Sequence, residues 1–362
     1  MDDGEAAATT ELRETASSGP SGALDLQSDV AGRRTNVALL VLLAAALATG
    51  TIAFGVGSAA GRAVLIAHGV VGLAMLLLGP WKSAIVRRGI KRRRPGRTAS
   101  TTFLALVAVA LVSGFVHAAG SRGPVAGLGL MQIHVGSALA SLPFGVWHLI
   151  ARRTPLRRTD LSRRNLLRAG GVLGAAAAAY AGLEGGFGLL RWPGARRRFT
   201  GSHEQRPAGD VPVTSWLNDR VPQIDERDWK LDVVAGRSTR RWTRTELAGL
   251  AAGVQATLDC TGGWYAEQTW EAVPLVRLVR EASEMRSVLV TSATGYRRRF
   301  PLRDLPHLYL AVGAGGEPLD PGHGAPARIV APQRRGFWWV KWVTSIETSP
   351  LPAWWQSPFP LT

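Results

Sequence analysis

Five long stretches without formal charge constrain this chain more than any other feature. Residues 35–61, 63–81, 98–121 and 123–151 contain no Asp, Glu, Lys or Arg, and 169–190 is broken only by Glu184. A helix needs about 20 apolar residues to cross the hydrocarbon core of a bilayer. Core helices of a soluble domain keep a polar face, and five consecutive runs lacking one exclude that reading. The first half is expected to be an all-α membrane bundle of four spans (35–151) followed by a fifth anchor span. Residues 1–34 are Ala/Ser/Gly-rich and acidic without apolar periodicity, and read as a disordered cytoplasmic tail.

The charges between the spans set the orientation. Lys plus Arg number 43 against 26 Asp plus Glu, a formal net charge of +17. Much of that excess lies in two linkers, 87–97 and 152–168, with seven basic residues each, whereas the alternate connections carry only Arg62 and Arg122. Basic loops stay cytoplasmic, so the chain ends outside the cytoplasmic membrane after five crossings. These basic runs are split between membrane loops and lack a reading face, so no nucleic-acid partner is expected.

The second basic linker and the fifth span form one segment, 152–200. Ser162-Arg163-Arg164-Asn165-Leu166-Leu167-Arg168 precedes a mild Gly/Ala-rich run and resembles an internal twin-arginine export signal. The alternative is plain positive-inside charge. The resemblance implies the twin-arginine translocase as a partner and a bacterial host. It also implies an exported domain that folds around its cofactor before crossing. The anchor is expected to be retained, although Ala179-Tyr180-Ala181 suits a signal peptidase.

The membrane half repeats itself. Residues 61–82 align without a gap on 127–148 with seven identities, among them His68 with His134, Gly79 with Gly145 and Trp81 with Trp147. Both His residues fall roughly 10 Å inside the outer ends of their spans, at about 1.5 Å per residue. Ionisable side chains inside a bilayer are costly and mark function. Two imidazoles across a four-helix bundle suit the axial positions of haem b, and the arrangement resembles the small membrane cytochromes b. His68 and His134 are the expected iron ligands. Imidazoles bonded to backbone, or lining a quinone pocket, are the alternatives. His117 and His148 lie near opposite ends of their spans.

The second half, 201–362, reads as a soluble α+β domain dominated by sheet. Alternating runs such as Lys230–Val234 and Ser287–Ser292 predict strands. Helices are expected at 244–252, capped by Thr243, and at 274–285, opened by Pro274. The only Cys of the chain, Cys260, lies in Leu258-Asp259-Cys260-Thr261-Gly262-Gly263-Trp264-Tyr265. Further on come Gly322-His323-Gly324-Ala325-Pro326-Ala327-Arg328 and Arg335-Gly336-Phe337-Trp338-Trp339-Val340-Lys341-Trp342. A single Cys excludes a disulfide framework and Cys-based metal clusters.

These three segments, in this order, resemble the molybdopterin-binding domain of the sulfite oxidase family over about 205–350. The resemblance implies a molybdenum–molybdopterin cofactor, with Cys260 as the metal's protein ligand. It implies that His323, Arg328, Arg335, Gly336, Phe337, Val340 and Lys341 hold the pterin. A thiolate suits a sulfur-rich metal centre, and Arg, Lys and backbone N–H groups suit the pterin phosphate. Tyr265 is a candidate catalytic residue beside the metal. Arginines that hold sulfite follow the metal Cys in true sulfite oxidases; here Thr261-Gly262-Gly263-Trp264-Tyr265 stands instead, which points to another small-molecule substrate.

The expected whole is a multi-pass membrane enzyme with its catalytic domain outside, embedded in membrane lipid. It would transfer an oxygen atom to or from a small substrate and exchange electrons with quinone or another electron-transfer protein. A non-catalytic docking module on a membrane cytochrome is the competing expectation.

Overall fold

The computed structural model describes residues 20–91, 96–121, 125, 127–151, 157–205, 211–214, 219–279 and 285–357. The helical half contains α1 (Pro20–Gly55), α2 (Gly61–Leu77), α3 (Gly79–Lys91), α4 (Arg97–Ala119), α5 (Leu130–Ala151) and α6 (Arg163–Leu189). Four helices are each long and apolar enough to cross a membrane: Gly32–Gly55 within α1, then α4, α5 and α6. The pair α2–α3 passes the same test jointly with a bend of 42°. The break falls before Gly79-Pro80, where proline lacks the N–H that a continuous helix would use. Large apolar side chains such as Val41, Val112, Val146 and Ile150 point outward. That is the arrangement lipid requires and water penalises.

Two expectations are corrected here. Helix α1 begins at Pro20, so residues 20–34, read as part of a disordered tail, are helical; residues 1–19 lie outside the described residues. The second helix of the soluble half is a single turn, Leu275–Leu278, rather than 274–285. Leu275, Leu278 and Val279 are all buried, and Val279 is already extended. One turn therefore suffices to place these apolar side chains in the core. Residues 280–284 lie outside the described residues.

The chain divides into two compact units. One comprises residues 1–47, 68–111 and 136–184, and the other 48–67, 112–135 and 185–362. In the first, Arg33 makes a bidentate ion pair with Asp160 at 2.5 and 2.9 Å. Glycines permit close helix packing: a Cβ on Gly69 would stand 2.5 Å from the Tyr180 ring.

The second unit contains two sheets. The first has the order β1-β5-β8-β10, with β4 also on β5 and β9 on β8; the second has the order β3-β2-β11-β6-β7. The strands are β1 (His203–Glu204), β2 (Lys230–Ala235), β3 (Ser238–Thr243), β4 (Ala252–Asp259), β5 (Trp264–Pro274), β6 (Ser287–Ser292), β7 (Arg297–Pro301), β8 (Tyr309–Ala314), β9 (Glu317–Pro318), β10 (Arg328–Val330) and β11 (Val343–Ser349). The expected strand at 230–234 extends by one residue, and 287–292 is matched end to end. Helix α7 (Arg244–Leu250) starts as expected at Thr243, whose hydroxyl accepts from the Glu246 N–H while the Glu246 carboxylate accepts from the Thr243 N–H. This is a reciprocal capping box. Leu231, Leu247, Val288, Phe300, Leu310, Ile329 and Ile346 fill the core without solvent contact.

Candidate active site

Cys260 ends the β4 edge of a tight β4–β5 connection. Its N–H donates to the Trp264 carbonyl at 2.8 Å, and the Gly263 N–H returns to the Cys260 carbonyl at 3.1 Å. Gly263 takes φ +90°, a left-handed conformation that glycine adopts at little cost. The turn aims the Gly262 N–H at the Cys260 sulfur, 3.3 Å away, and the Thr214 hydroxyl lies 3.7 Å from the same atom. Burial pushes the thiol up, while the Gly262 N–H, Thr214 and the Arg335 charge pull it down.

Cationic groups gather around that sulfur. Arg328, at the start of β10, is 2% exposed. One of its guanidinium nitrogens donates to the His323 carbonyl at 2.9 Å, and its Nε has no hydrogen-bond partner. Its guanidinium also stacks near Trp270, 5.0 Å from the ring centre. Lys341 donates to the Thr214 and Gly322 carbonyls at 2.8 and 2.6 Å. Burial, followed by the neighbouring Arg328 charge, lowers the Lys341 pKa to about 7. Gly324, at φ +112°, lets these two chains approach; a Cβ there would stand 3.1 Å from the Cβ atoms of both Arg328 and Lys341.

A buried Arg328 with an orphaned N–H beside a half-buried Lys341 is expensive unless an anion sits between them. A pterin phosphate is such an anion, and a buried thiolate is the ligand a dithiolene-bound metal needs. The residues fit the cofactor.

Beneath the thiol runs a second charged layer. Asp259 is 2% exposed and accepts from the Thr200 and Ser202 hydroxyls at 2.6 and 2.7 Å. The Arg335 guanidinium lies 3.3 Å from the same carboxylate and donates to the Cys260 carbonyl and the Ser202 hydroxyl, both at 3.0 Å. Gly336 brings this loop against the Cys260 backbone, a Cβ there being 3.3 Å from the Cys260 Cα. The Phe337 carbonyl accepts from the Tyr296 hydroxyl at 2.5 Å, and the Val340 carbonyl accepts from the Ile329 N–H at 2.8 Å.

The expected residues therefore divide. Cys260, Arg328 and Lys341 come together through their side chains. Arg335, Gly336, Phe337 and Val340 shape the backbone behind them. His323 was expected to hold the pterin, but its imidazole is engaged within the chain: Nδ1 meets the Asp320 carboxylate and Nε2 the Val211 carbonyl at 2.8 Å. It positions Arg328 through its own carbonyl. The Tyr265 ring lies 5.8 Å from the Arg198 guanidinium, on the Asp259 side of the loop. Thr214 and the Asp259–Arg335 pair were not singled out by the sequence. Asp259, adjoining the lone Cys, was the available signal for the pair.

The ends of two helices belong to the same unit as this site. Phe54 stacks on Phe337 with ring centres 5.6 Å apart, and the Gly57 N–H donates to the Gln333 carbonyl at 2.9 Å. His117 is bonded at Nε2 to the Gly201 carbonyl (3.1 Å), and its own carbonyl accepts from His203 Nε2 at 2.8 Å. Among the other imidazoles of the apolar helices, His68 Nδ1 meets the Ala46 carbonyl at 3.1 Å. His134 packs over Gly114, and His148 bonds the Ser100 hydroxyl at 2.9 Å.

Residues 218–355 match the family described as oxidoreductase molybdopterin binding domain. The sheet-rich region thus carries a molybdopterin-binding oxidoreductase domain. That match spans Cys260, Arg328, Arg335 and Lys341, the groups that the geometry had already brought together. Among solved structures, the chain is similar to the sulfane dehydrogenase SoxCD from Paracoccus pantotrophus, with 23% identity and a TM-score of 0.34. The similarity covers 36% of this chain and 40% of that one. No curated protein matches the chain.

Proposed function

We propose that the chain is a membrane-anchored molybdenum-cofactor oxidoreductase that moves an oxygen atom to or from a small substrate outside the cytoplasmic membrane. The observation that carries this reading is Cys260 Sγ, held by the Gly262 N–H and Thr214 beside the buried Arg328 and the half-buried Lys341. When bound, the cofactor supplies oxygen-atom exchange coupled to a two-electron change at the metal.

The chain's own residues perform four tasks. Cys260 would ligate the metal from a backbone turn that cannot move without breaking its two internal hydrogen bonds. Arg328 and Lys341 would hold the cofactor's anionic phosphate between their cationic side chains. Arg335 holds the Cys260 carbonyl and ties the loop to Asp259. Trp264, partly buried beside Gly262, and Tyr265 wall the approach with aromatic surface. Residues 261–265, directly after Cys260, contain no arginine, which favours a substrate other than a small oxyanion.

Electron exchange through the helical half belongs to the same proposal, with haem b on His68 and His134 and quinone or another electron-transfer protein as the outer partner. The internal repeat supports this assignment. So does the bond from His68 Nδ1 to Ala46, since a backbone carbonyl on one ring nitrogen is how haem-ligating imidazoles are commonly oriented. The Arg163-Arg164 pair in the first turn of α6, both side chains exposed, suits recognition by the twin-arginine translocase.

Turnover of sulfoxide and N-oxide substrates with a reduced dye, assayed on the purified full chain and on Cys260→Ser, tests the reading. Oxygen-atom transfer by the native chain and none by the variant is expected. Equal rates would overturn it.

A further inference from the structure

Where α6 ends, a non-glycine residue takes a left-handed conformation. The Trp192 N–H bonds the Phe187 carbonyl at 2.9 Å and the Arg191 N–H bonds the Gly188 carbonyl at 3.2 Å. This pair of bonds closes a helix with one left-handed residue, normally glycine. Here that residue is Arg191, at φ +52°. A side chain at this position is strained, so the turn itself does not explain the arginine.

What the arginine faces does explain it. Arg191, Pro193, Arg196 and Gly120 line an open cleft of about 420 Å³. Two glycines make it: a Cβ on Gly120 would stand 2.5 Å from the Pro193 Cβ, and one on Gly194 would stand 2.4 Å from the Ala118 carbonyl. Arg197 is already committed to the Ala118 and Gly194 carbonyls at 2.8 and 2.9 Å. Arg191 and Arg196 remain exposed, and their guanidinium groups have no partner among the described residues. Residues 185–202 contain four Arg and no Asp or Glu. Immediately beside this cationic cleft, Leu189 is 86% exposed, Leu190 64% and Trp192 47%.

From this juxtaposition we infer that the cleft binds the phosphate of an anionic phospholipid in the outer leaflet. Arg191 and Arg196 clasp the headgroup, while Leu189, Leu190 and Trp192 lie among the acyl chains and the interface. Paired guanidinium forks match phosphate oxygens. Exposed Leu and Trp beside them select a lipid over a free anion. The inference rests on the membrane reading of α6.

Thermal melts of the full chain in neutral detergent, titrated with phosphatidylglycerol, phosphatidylcholine or inorganic phosphate, test it. The native chain is expected to gain melting temperature with phosphatidylglycerol alone. Arg191→Gly should melt no lower than the native chain without lipid, because glycine relieves the left-handed strain. It should nevertheless require about tenfold more phosphatidylglycerol for the same gain, as should Arg196→Gln. An undiminished response in both variants, an equal response to phosphatidylcholine, or the same gain from inorganic phosphate would overturn the lipid site. Carbonate extraction separates the two levels. A chain released from membranes refutes the membrane reading itself, whereas a retained chain whose variants respond like the native one refutes only the lipid site.

Discussion

Arg335 donates to the backbone carbonyl of Cys260 at 3.0 Å while lying 3.3 Å from the Asp259 carboxylate, with both charged residues almost wholly buried. One guanidinium thus ties the loop at 333–337 to the residue that would ligate the metal. Stranding a buried charge costs about 3–5 kcal/mol; Asp259 keeps Arg198 at 3.4 Å, so removing Arg335 costs part of that. Arg335→Met should therefore lower the melting temperature sharply. Arg335→Met with Asp259→Asn should recover part of the loss, because the buried carboxylate is gone and only Arg198, partly exposed and 3.4 Å from it, loses an ion pair. Thermal melts of both variants check the sign of the coupling.

Lys341 gives the domain a particular pH response in the absence of cofactor. Its folded pKa is lowered to about 7 from an ordinary 10.5, so between these values the unfolded chain binds more protons than the folded one. Stability from this group therefore rises as pH increases from about 7 towards 10.5 and is flat beyond both ends. Denaturant titrations of cofactor-free native chain and Lys341→Met across that window should show the rise in the first and its absence in the second. Cofactor affinity should run the opposite way, weakening as pH rises past 7, because the neutral amine no longer pairs with phosphate.

Gly263→Ala tests the loop geometry. Glycine here is at φ +90°, and an added Cβ would stand 2.5 Å from the His117 Cε1. Strain and overpacking together should cost about 2 kcal/mol or more. Gly295→Ala, also at a left-handed glycine but with open space around it, should cost less, since it meets strain alone. Parallel melts of the two variants decide the comparison.

Much of this site was legible from residues alone, for physical reasons. Cys260, Arg328 and Lys341 are chemically conspicuous types in an ordered pattern, and Thr243–Glu246 announces its helix through a local capping box. The long apolar helices were visible because apolar length is a one-dimensional property. What escaped depended on contacts distant in sequence. Thr214 carries no local signal, yet tertiary folding lays it against Cys260. The bonds that the His323 imidazole makes with Asp320 and the Val211 carbonyl likewise depend on tertiary placement. Residues 274–285 read as helix from Pro274 and the following pattern, but burial of Leu275, Leu278 and Val279 needed only one turn.

Export has its own discriminating variant. Arg163→Lys with Arg164→Lys conserves every formal charge, so a positive-inside mechanism predicts unchanged topology. A twin-arginine receptor needs the planar guanidinium pair. The double variant should then insert its first spans normally while its C-terminal domain stays protected from protease in spheroplasts. Digestion equal to the native chain would remove the export signal from the account.

The central claim is that Cys260, Arg328 and Lys341 together hold a molybdenum–pterin cofactor. Metal analysis and pterin fluorescence on the same preparation of purified full chain, from a host that makes the cofactor, measure it directly. Molybdenum and pterin in equal amounts, stoichiometric with the native chain, are predicted. Cys260→Ser should lose most of the metal, and Arg328→Gln with Lys341→Gln most of the pterin. A well-folded native chain devoid of both would contradict the account.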